Sequence, residues 1–281
     1  MAAVLGTNIA SIYASKNLQG AQSSMATSVE RLSSGLRINR AKDDAAGLAI
    51  SNQLTQQING ANQGIKNLND GVSLVQTADG ALATVTEMAQ RILTLATQAS
   101  SGVLSDDQID SIKLEATGLL SAIEGIQTRS SVNGTLLFED TAISIQSSNV
   151  SGDTISITAS ALVDFSASSA STDAMYDLTL AVGSLATSAN AQSLIDAASD
   201  YIIVIDTQRS ELGSLQNQMD YAITNVTQLS ADLSSARSRV VDTDYALETS
   251  VLTKGQILQQ AATAMLAQAN QMPNVILSLL K

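Results

Sequence analysis

The 281-residue chain has no cysteine, no histidine and no tryptophan, and only one proline. Without cysteine there are no disulfides, thiol nucleophiles or thiolate zinc sites. Without histidine the commonest general base and metal ligand is missing. Aromatics make up 2% of the chain while 44% is hydrophobic, so any core must be built from Ala, Leu, Ile and Val. Long helices packed side by side use such residues, and the near absence of proline leaves them uninterrupted. Basic residues are also short: 14 Lys and Arg stand against 26 Asp and Glu, a net charge of −12. That balance argues against a nucleic-acid partner or an anionic membrane surface.

What is present is heptad patterning at both ends. Gly255 to Leu280 has no charged residue. Such a run is long enough for a membrane helix, which needs about 20 mostly apolar residues. However, Gln256, Gln259, Gln260, Gln268, Asn270 and Gln271 would lack partners in hydrocarbon, and Pro273 would break the hydrogen-bond ladder. Membrane insertion is therefore not expected. Leu258, Ala262, Met265, Ala269, Met272, Ile276 and Leu279 instead recur in alternating steps of four and three, the seam of a coiled coil. Leu18, Gln22, Met25, Val29, Leu32 and Leu36 repeat that spacing, with Leu5, Ile9 and Ile12 upstream. A lone helix with such a seam needs a partner. The two ends are expected to pair with each other or with copies of themselves.

Between them the period continues. Asp43 and Asp44 favour a helix start. From Leu54 to Leu93 the spacing holds through Ile58, Ile65, Leu68, Val75, Asp79 and Leu82, predicting a helix to about Ser100. Gly60, Gly64, Gly71 and Gly80 inside it are expected to permit close helix approach. Gly102 marks a turn, and Ser105 with Gln108 forms a capping box for an antiparallel helix. After Asn133 the period changes. Ile143, Ile145, Ile155 and Ile157 alternate with polar residues around a Gly-containing turn, predicting a hairpin at about 135–160. Val163 to Asp173 reads as a Ser- and Ala-rich loop. Helical period returns by Leu178 and holds through Leu233, with Arg209, Gln216 and Ser230 interrupting the seam. The fold expected is mainly α: a long antiparallel helical bundle or coiled coil from the N- and C-terminal halves, with a small β-hairpin in the middle.

No catalytic or metal constellation emerges, and no cofactor is expected. Asp106, Asp107 and Asp110 cluster at a helix start, where capping accounts for them. Asp242 and Asp244 sit in a charged linker. Three Asn-x-Ser/Thr triplets, at Asn133, Asn149 and Asn225, match the glycosylation sequon, a short and frequent pattern. The opening MAAVLGTNIASIYASK lacks the features of a cleaved secretion signal.

The block SVERLSSGLRINRAKDDAAGLAISNQL (Ser28 to Leu54) resembles bacterial flagellin. So do LSSARSRVVDTDYALETS (Leu233 to Ser250) and QILQQAATAMLAQANQMPNVILSLLK (Gln256 to Lys281). The resemblance implies a filament subunit that polymerises with itself, secreted and extracellular on the bacterial flagellum, and not an enzyme. It implies an inner-core domain from residues 1–42 and 237–281. It implies an outer-core domain from residues 43–175, which include the hairpin and a short variable loop, and residues 176–236. Larger relatives insert outer domains in the middle, which this chain leaves almost no room for. Implied partners are the flagellar export apparatus and its chaperone, the filament cap, the hook-junction proteins and a host Toll-like receptor. The assembly seam is read as Leu18, Met25, Val29, Leu32, Leu36, Leu258, Ala262, Met265, Ala269, Met272, Ile276 and Leu279.

The family's receptor-binding helix commonly reads QRVRELAVQ, and the stretch here is QRILTLATQ, from Gln90 to Gln98. Arg91 and Leu95 match it, and Glu115 matches a further contact. Leu93 and Thr94 depart from it, so weaker receptor activation is expected. O-linked sugars of the family point to Ser166, Ser168, Ser169, Ser171 and Thr172. Two other readings stand beside the filament subunit: a hook-filament junction protein with similar termini, and a secreted host-interaction factor or enzyme.

Overall fold

The structure, a computed structural model, describes residues 7–138, 142–157 and 174–279. For residue 135 and residues 272–279 only the backbone is described. The elements in order are α1 (Ile9–Ser34), α2 (Ala45–Ala99), α3 (Asp106–Arg129), β1 (Ser131–Val132), β2 (Thr135–Leu136), β3 (Ile143–Gln146), β4 (Thr154–Ile157), α4 (Ala174–Ser184), α5 (Ser188–Val241) and α6 (Tyr245–Leu279). The mainly α expectation holds. The chain divides into two compact units: residues 1–56 with 231–281, and residues 57–230.

The helix boundaries follow from capping chemistry. Asn8 Oδ1 accepts from Ser11 N at the start of α1. Gly35 ends that helix at φ 73, donating its N–H to Arg31 O. A left-handed C-cap favours glycine, which lacks a Cβ. Asp44 Oδ1 accepts from Gly47 N at the start of α2. Asp244 Oδ1 accepts from Ala246 N and Leu247 N at the start of α6. For α3 the reciprocal contact predicted from Ser105 and Gln108 is present: Ser105 N donates to Gln108 Oε1 at 3.0 Å.

In the second unit α2 and α5 run antiparallel. Arg209 Nε donates to Asp79 Oδ1 at 2.8 Å, and Ser230 Oγ donates to Asn62 Oδ1 at 3.0 Å. The hydrogen bond to Asp79 raises the pKa of the Arg209 guanidinium. Leu68, Leu82, Ile92, Leu95, Ile123, Leu178, Tyr201 and Ile205 fill the core and are 2% exposed or less.

Three of the glycines of α2 make room chiefly for a hairpin. A Cβ at Gly64 would collide with Ser147 O, and one at Gly60 would meet the side chain of Asn149. A Cβ at Gly71 would strike Ile145. Gly60 and Gly64 make room for the β3–β4 hairpin and its turn, and Gly71 makes room both for Met219 of α5, as close helix approach requires, and for that hairpin. Asn67 Nδ2 fastens it, donating to Gln146 O at 3.0 Å. Gly80 has open space where a Cβ would go, so close approach does not explain it.

Two elements go beyond the sequence reading. A small hairpin, β1–β2, precedes the expected one and pairs Val132 with Thr135. Helix has returned by Leu178, as expected, but as the separate α4 that begins at Ala174 and is held by Lys113 Nζ donating to Gly183 O at 2.7 Å. The expected hairpin is β3–β4, with Ile143 opposite Ile157 and Ile145 opposite Ile155.

Candidate assembly interface

The first unit is organised around α1 against α6. The residues buried between them follow a strict heptad of small side chains and one acid. On α1 these are Ala14, Ala21 and Ser28. On α6 they are Glu248, Gly255, Ala262 and Ala269. Small residues let two backbones approach closely. Arg31 Nη1 lies 3.6 Å from Glu248 Oε2, closing an ion pair at one end of the seam.

That end continues into the links at Gly35–Asn39 and Asp242–Asp244. Arg37 N donates to Val241 O, Arg37 Nη2 to Val240 O, and Thr243 N to Gly35 O. Leu36, expected within the seam, instead bridges Asp242 as extended backbone. Tyr245 Oη donates to Leu32 O at 3.4 Å.

The other end is closed by an amide. Asn8 Nδ2 donates to Ala269 O at 2.8 Å, while its Oδ1 caps α1. Ala269 O is the carbonyl that the backbone N–H of residue 273 would normally bond, and residue 273 is proline, which has none. The helix runs on through Pro273. The ladder loses one bond there, and the freed acceptor is taken up by α1. Ser11 Oγ adds a second contact, donating to Asn270 Oδ1 at 3.1 Å.

The large apolar residues predicted for the seam divide between inside and outside. Leu18, Met25 and Leu32 are half-buried. Val29, Leu258 and Met265 are 51%, 48% and 63% exposed. Ile9, Ile12, Tyr13, Leu247 and Ile257 are likewise exposed on the same two helices. Ala262 and Ala269 are buried in the contact within the chain. The side chains of Met272, Ile276 and Leu279 lie outside the described residues. A groove of about 960 Å³ runs along the helix pair, lined by Ile9, Tyr13, Gly20, Gly255, Leu258 and Met265 among others. One copy of the chain thus satisfies its small-residue seam and leaves several large apolar side chains uncovered.

Comparison with known proteins fits this arrangement. Residues 5–142 match the bacterial flagellin N-terminal helical region. Residues 194–280 match the bacterial flagellin C-terminal helical region. The chain belongs to the bacterial flagellins. A flagellin from Halalkalibacterium halodurans is 38% identical, with 99% of this chain and 100% of that one aligned. The flagellin of Bacillus subtilis is 36% identical over 98% of each chain. A solved structure of a protein described as flagellar hook-associated, from Vibrio parahaemolyticus, has a TM-score of 0.61. It covers 71% of this chain and 100% of its own, and at 12% identity it speaks for the fold alone. This flagellin is a structural subunit of the flagellar filament and not an enzyme.

The remaining candidate residues lie in the second unit. Arg91 and Glu115 are about half exposed and pair with each other, with Arg91 Nε and Nη2 at 2.9 and 2.7 Å from Glu115 Oε1. They join α2 to α3. Leu95 is 2% exposed and belongs to the core, so its side chain presents no surface to a partner. Ser166, Ser168, Ser169, Ser171 and Thr172 fall outside the described residues. Among the described residues no group of three acidic side chains is placed to hold a metal ion. No described helix is long and apolar enough to cross a membrane.

Proposed function

We propose that copies of this flagellin polymerise through the outward apolar faces of α1 and α6. One observation carries the reading: Val29, Leu258 and Met265 stay about half exposed or more, while the alanines beside them are buried. Burying apolar surface stabilises an association by roughly 25 cal/mol per Å². Placed between copies by a repeated, non-closing contact, these faces generate an open helical fibre. Leu258→Glu tests it. The change puts a charge where another copy should sit, and leaving a buried charge unpaired costs roughly 3–5 kcal/mol. Electron microscopy of purified protein with filament seeds should show long filaments from the native chain and none from the variant. Normal filaments from Leu258→Glu would remove this face from the interface.

The same reading takes the chain as exported unfolded through the flagellar type III channel, with its chaperone, and assembled under the cap beyond the hook-junction proteins. Support comes from the lack of disulfides, which leaves the chain free to be drawn out. Protein retained in cells lacking the flagellar export apparatus supports this route, and secretion from such cells rules it out.

For the host receptor, the surface available is the Arg91–Glu115 pair with the neighbouring exposed positions of α2. A reporter-cell titration should show weaker activation than by a flagellin with the full family motif, and equal potency refutes this. An intact mass of filament protein above the sequence mass supports O-linked sugars on the Ser166 to Thr172 stretch, and an equal mass excludes them.

A further inference from the structure

We propose that Asn133 is a site of spontaneous deamidation, a chemical ageing mark within the second unit. The β1–β2 hairpin turns on Asn133 and Gly134, at φ 52 and 83. Two successive positive φ values are the mark of a type I′ turn, for which Asn-Gly is the preferred pair. Both residues are exposed. A Cβ at Gly134 would meet nothing within 4 Å, so no other part of the chain packs over that side of the turn. Among the described residues no backbone carbonyl accepts from Gly134 N.

The chemistry needs only water. Gly134 N, once its proton is lost to solvent, attacks Cγ of Asn133. The bond from Cγ to the side-chain nitrogen breaks, and ammonia leaves. A five-membered succinimide remains, joining the side-chain carbonyl to the backbone. Water adds to either ring carbonyl and opens it, giving aspartate or isoaspartate. The balance is one water consumed and one ammonia released, with no oxidation or reduction.

To reach that ring, Asn133 must leave its left-handed conformation. The strands flanking the turn are two residues each, and so short a hairpin is marginal and opens readily. The chain contains a built-in control. Asn59 and Gly60 are the same dipeptide, but they sit inside α2, where helical hydrogen bonds hold the glycine nitrogen. There the side chain of Asn149 also packs over Gly60. Sequence alone makes the two sites equal. The structure makes them unequal.

The two products differ in consequence. Asp-Gly suits a type I′ turn as Asn-Gly does, so aspartate leaves the hairpin in place. Isoaspartate adds a methylene to the backbone inside a turn that admits no extra atom. Directly after β2 come Leu137 and Phe138, which are 0% and 2% exposed, with Leu137 N donating to Ser130 O. A shift in this turn therefore moves two side chains out of the core.

The test is incubation of the purified full-length chain in mildly alkaline buffer, followed by peptide mass mapping and enzymatic isoaspartate methylation. The Asn133 peptide should gain the amide-to-carboxyl mass difference at least about tenfold faster than the Asn59 peptide, because exposed turns open far more often than helix interiors. In urea the two rates should converge. The isoaspartate fraction should melt below the Asn133→Asp variant, which has the charge without the extra atom. If Asn133 keeps its amide in the folded chain while losing it in urea, or if Asn59 converts as fast, the proposal is wrong.

Discussion

The two compact units solve the packing problem in opposite ways. In the second unit large side chains build the core: Leu68, Leu82, Ile92, Ile123, Leu178 and Tyr201 are all at most 1% exposed. Along α1 and α6 of the first unit the fully buried positions are mostly small, as Ala14, Ala21, Gly255, Ala262 and Ala269, while Val29, Leu258 and Met265 point out. Charge divides with them. Residues 57–230 hold five Lys and Arg against nineteen Asp and Glu, whereas residues 1–56 and 231–281 hold nine against seven. The second unit therefore carries −14, more than the whole chain's −12, against +2 for the first, and has its own core. Charge of one sign keeps a surface solvated and resists self-association. The first unit is nearly neutral, apolar outside and economical inside, which is the composition of a surface meant to be covered. One rule of burial thus yields a self-sufficient body and an unfinished one from a single chain.

The largest contrast should come from deleting one large side chain in each unit. Leu82→Ala removes a fully buried residue and should destabilise the chain by about 2–5 kcal/mol. Leu258→Ala removes one that is 48% exposed and should shift monomer stability by less than about 0.5 kcal/mol. Chemical denaturation measures the first, and a critical-concentration assay should show that the second weakens polymerisation. Similar losses of monomer stability for both would mean that the first unit has a core of the ordinary kind.

Next in size is a pair of glycine substitutions on one helix. Gly64→Ala drives a Cβ into Ser147 O and should cost about 1–3 kcal/mol by displacing the β3–β4 turn. Gly80→Ala meets open space and should stabilise α2 by up to about 1 kcal/mol, the intrinsic difference between the two residues in a helix. Thermal melts of both variants decide the point. Equal signs would place the hairpin elsewhere than on the glycine stripe.

Much of this was readable in the sequence, for reasons that name its limits. Heptad spacing gave the helices because the apolar period repeats over many turns, and Asp44 and Ser105 marked where two of them begin, whereas Asp244, read as part of a charged linker, proves to cap α6. Spacing does not say which members of a seam face the chain's own partner helix. Ala262 and Leu258 share one seam, but backbone proximity admits only the smaller, so their fates separate in three dimensions. The hairpin at 143–157 showed through its alternation, whereas β1–β2 is too short to alternate and was signalled only by Asn133-Gly134. Leu95 sits in a stretch matching the family's receptor motif, and its place in the core is a property of α2 packing that no motif records. The role of Gly60 and Gly64 needed the turn at Ser147 to be in place, a contact more than eighty residues away in sequence.

The smallest effect concerns the clasp at the chain ends, where proline alters what a helix can offer. Ala269 O has no intrahelical donor because residue 273 has no N–H, and Asn8 supplies one from α1. Asn8→Ala loses this bond and the cap on α1 together, and should cost about 1 kcal/mol in the first unit. Asn8→Asp separates the two roles, since the carboxylate still caps but cannot donate. In a Pro273→Ala background the helix recovers its own donor, and α1 is left with a cap alone. The donor half of Asn8 should then matter less, so Asn8→Asp should cost less there than in the native chain. Hydrogen exchange along α1 in all four chains reads the coupling directly. Costs that simply add would mean that the carbonyl freed by proline and the amide of Asn8 are neighbours without being linked.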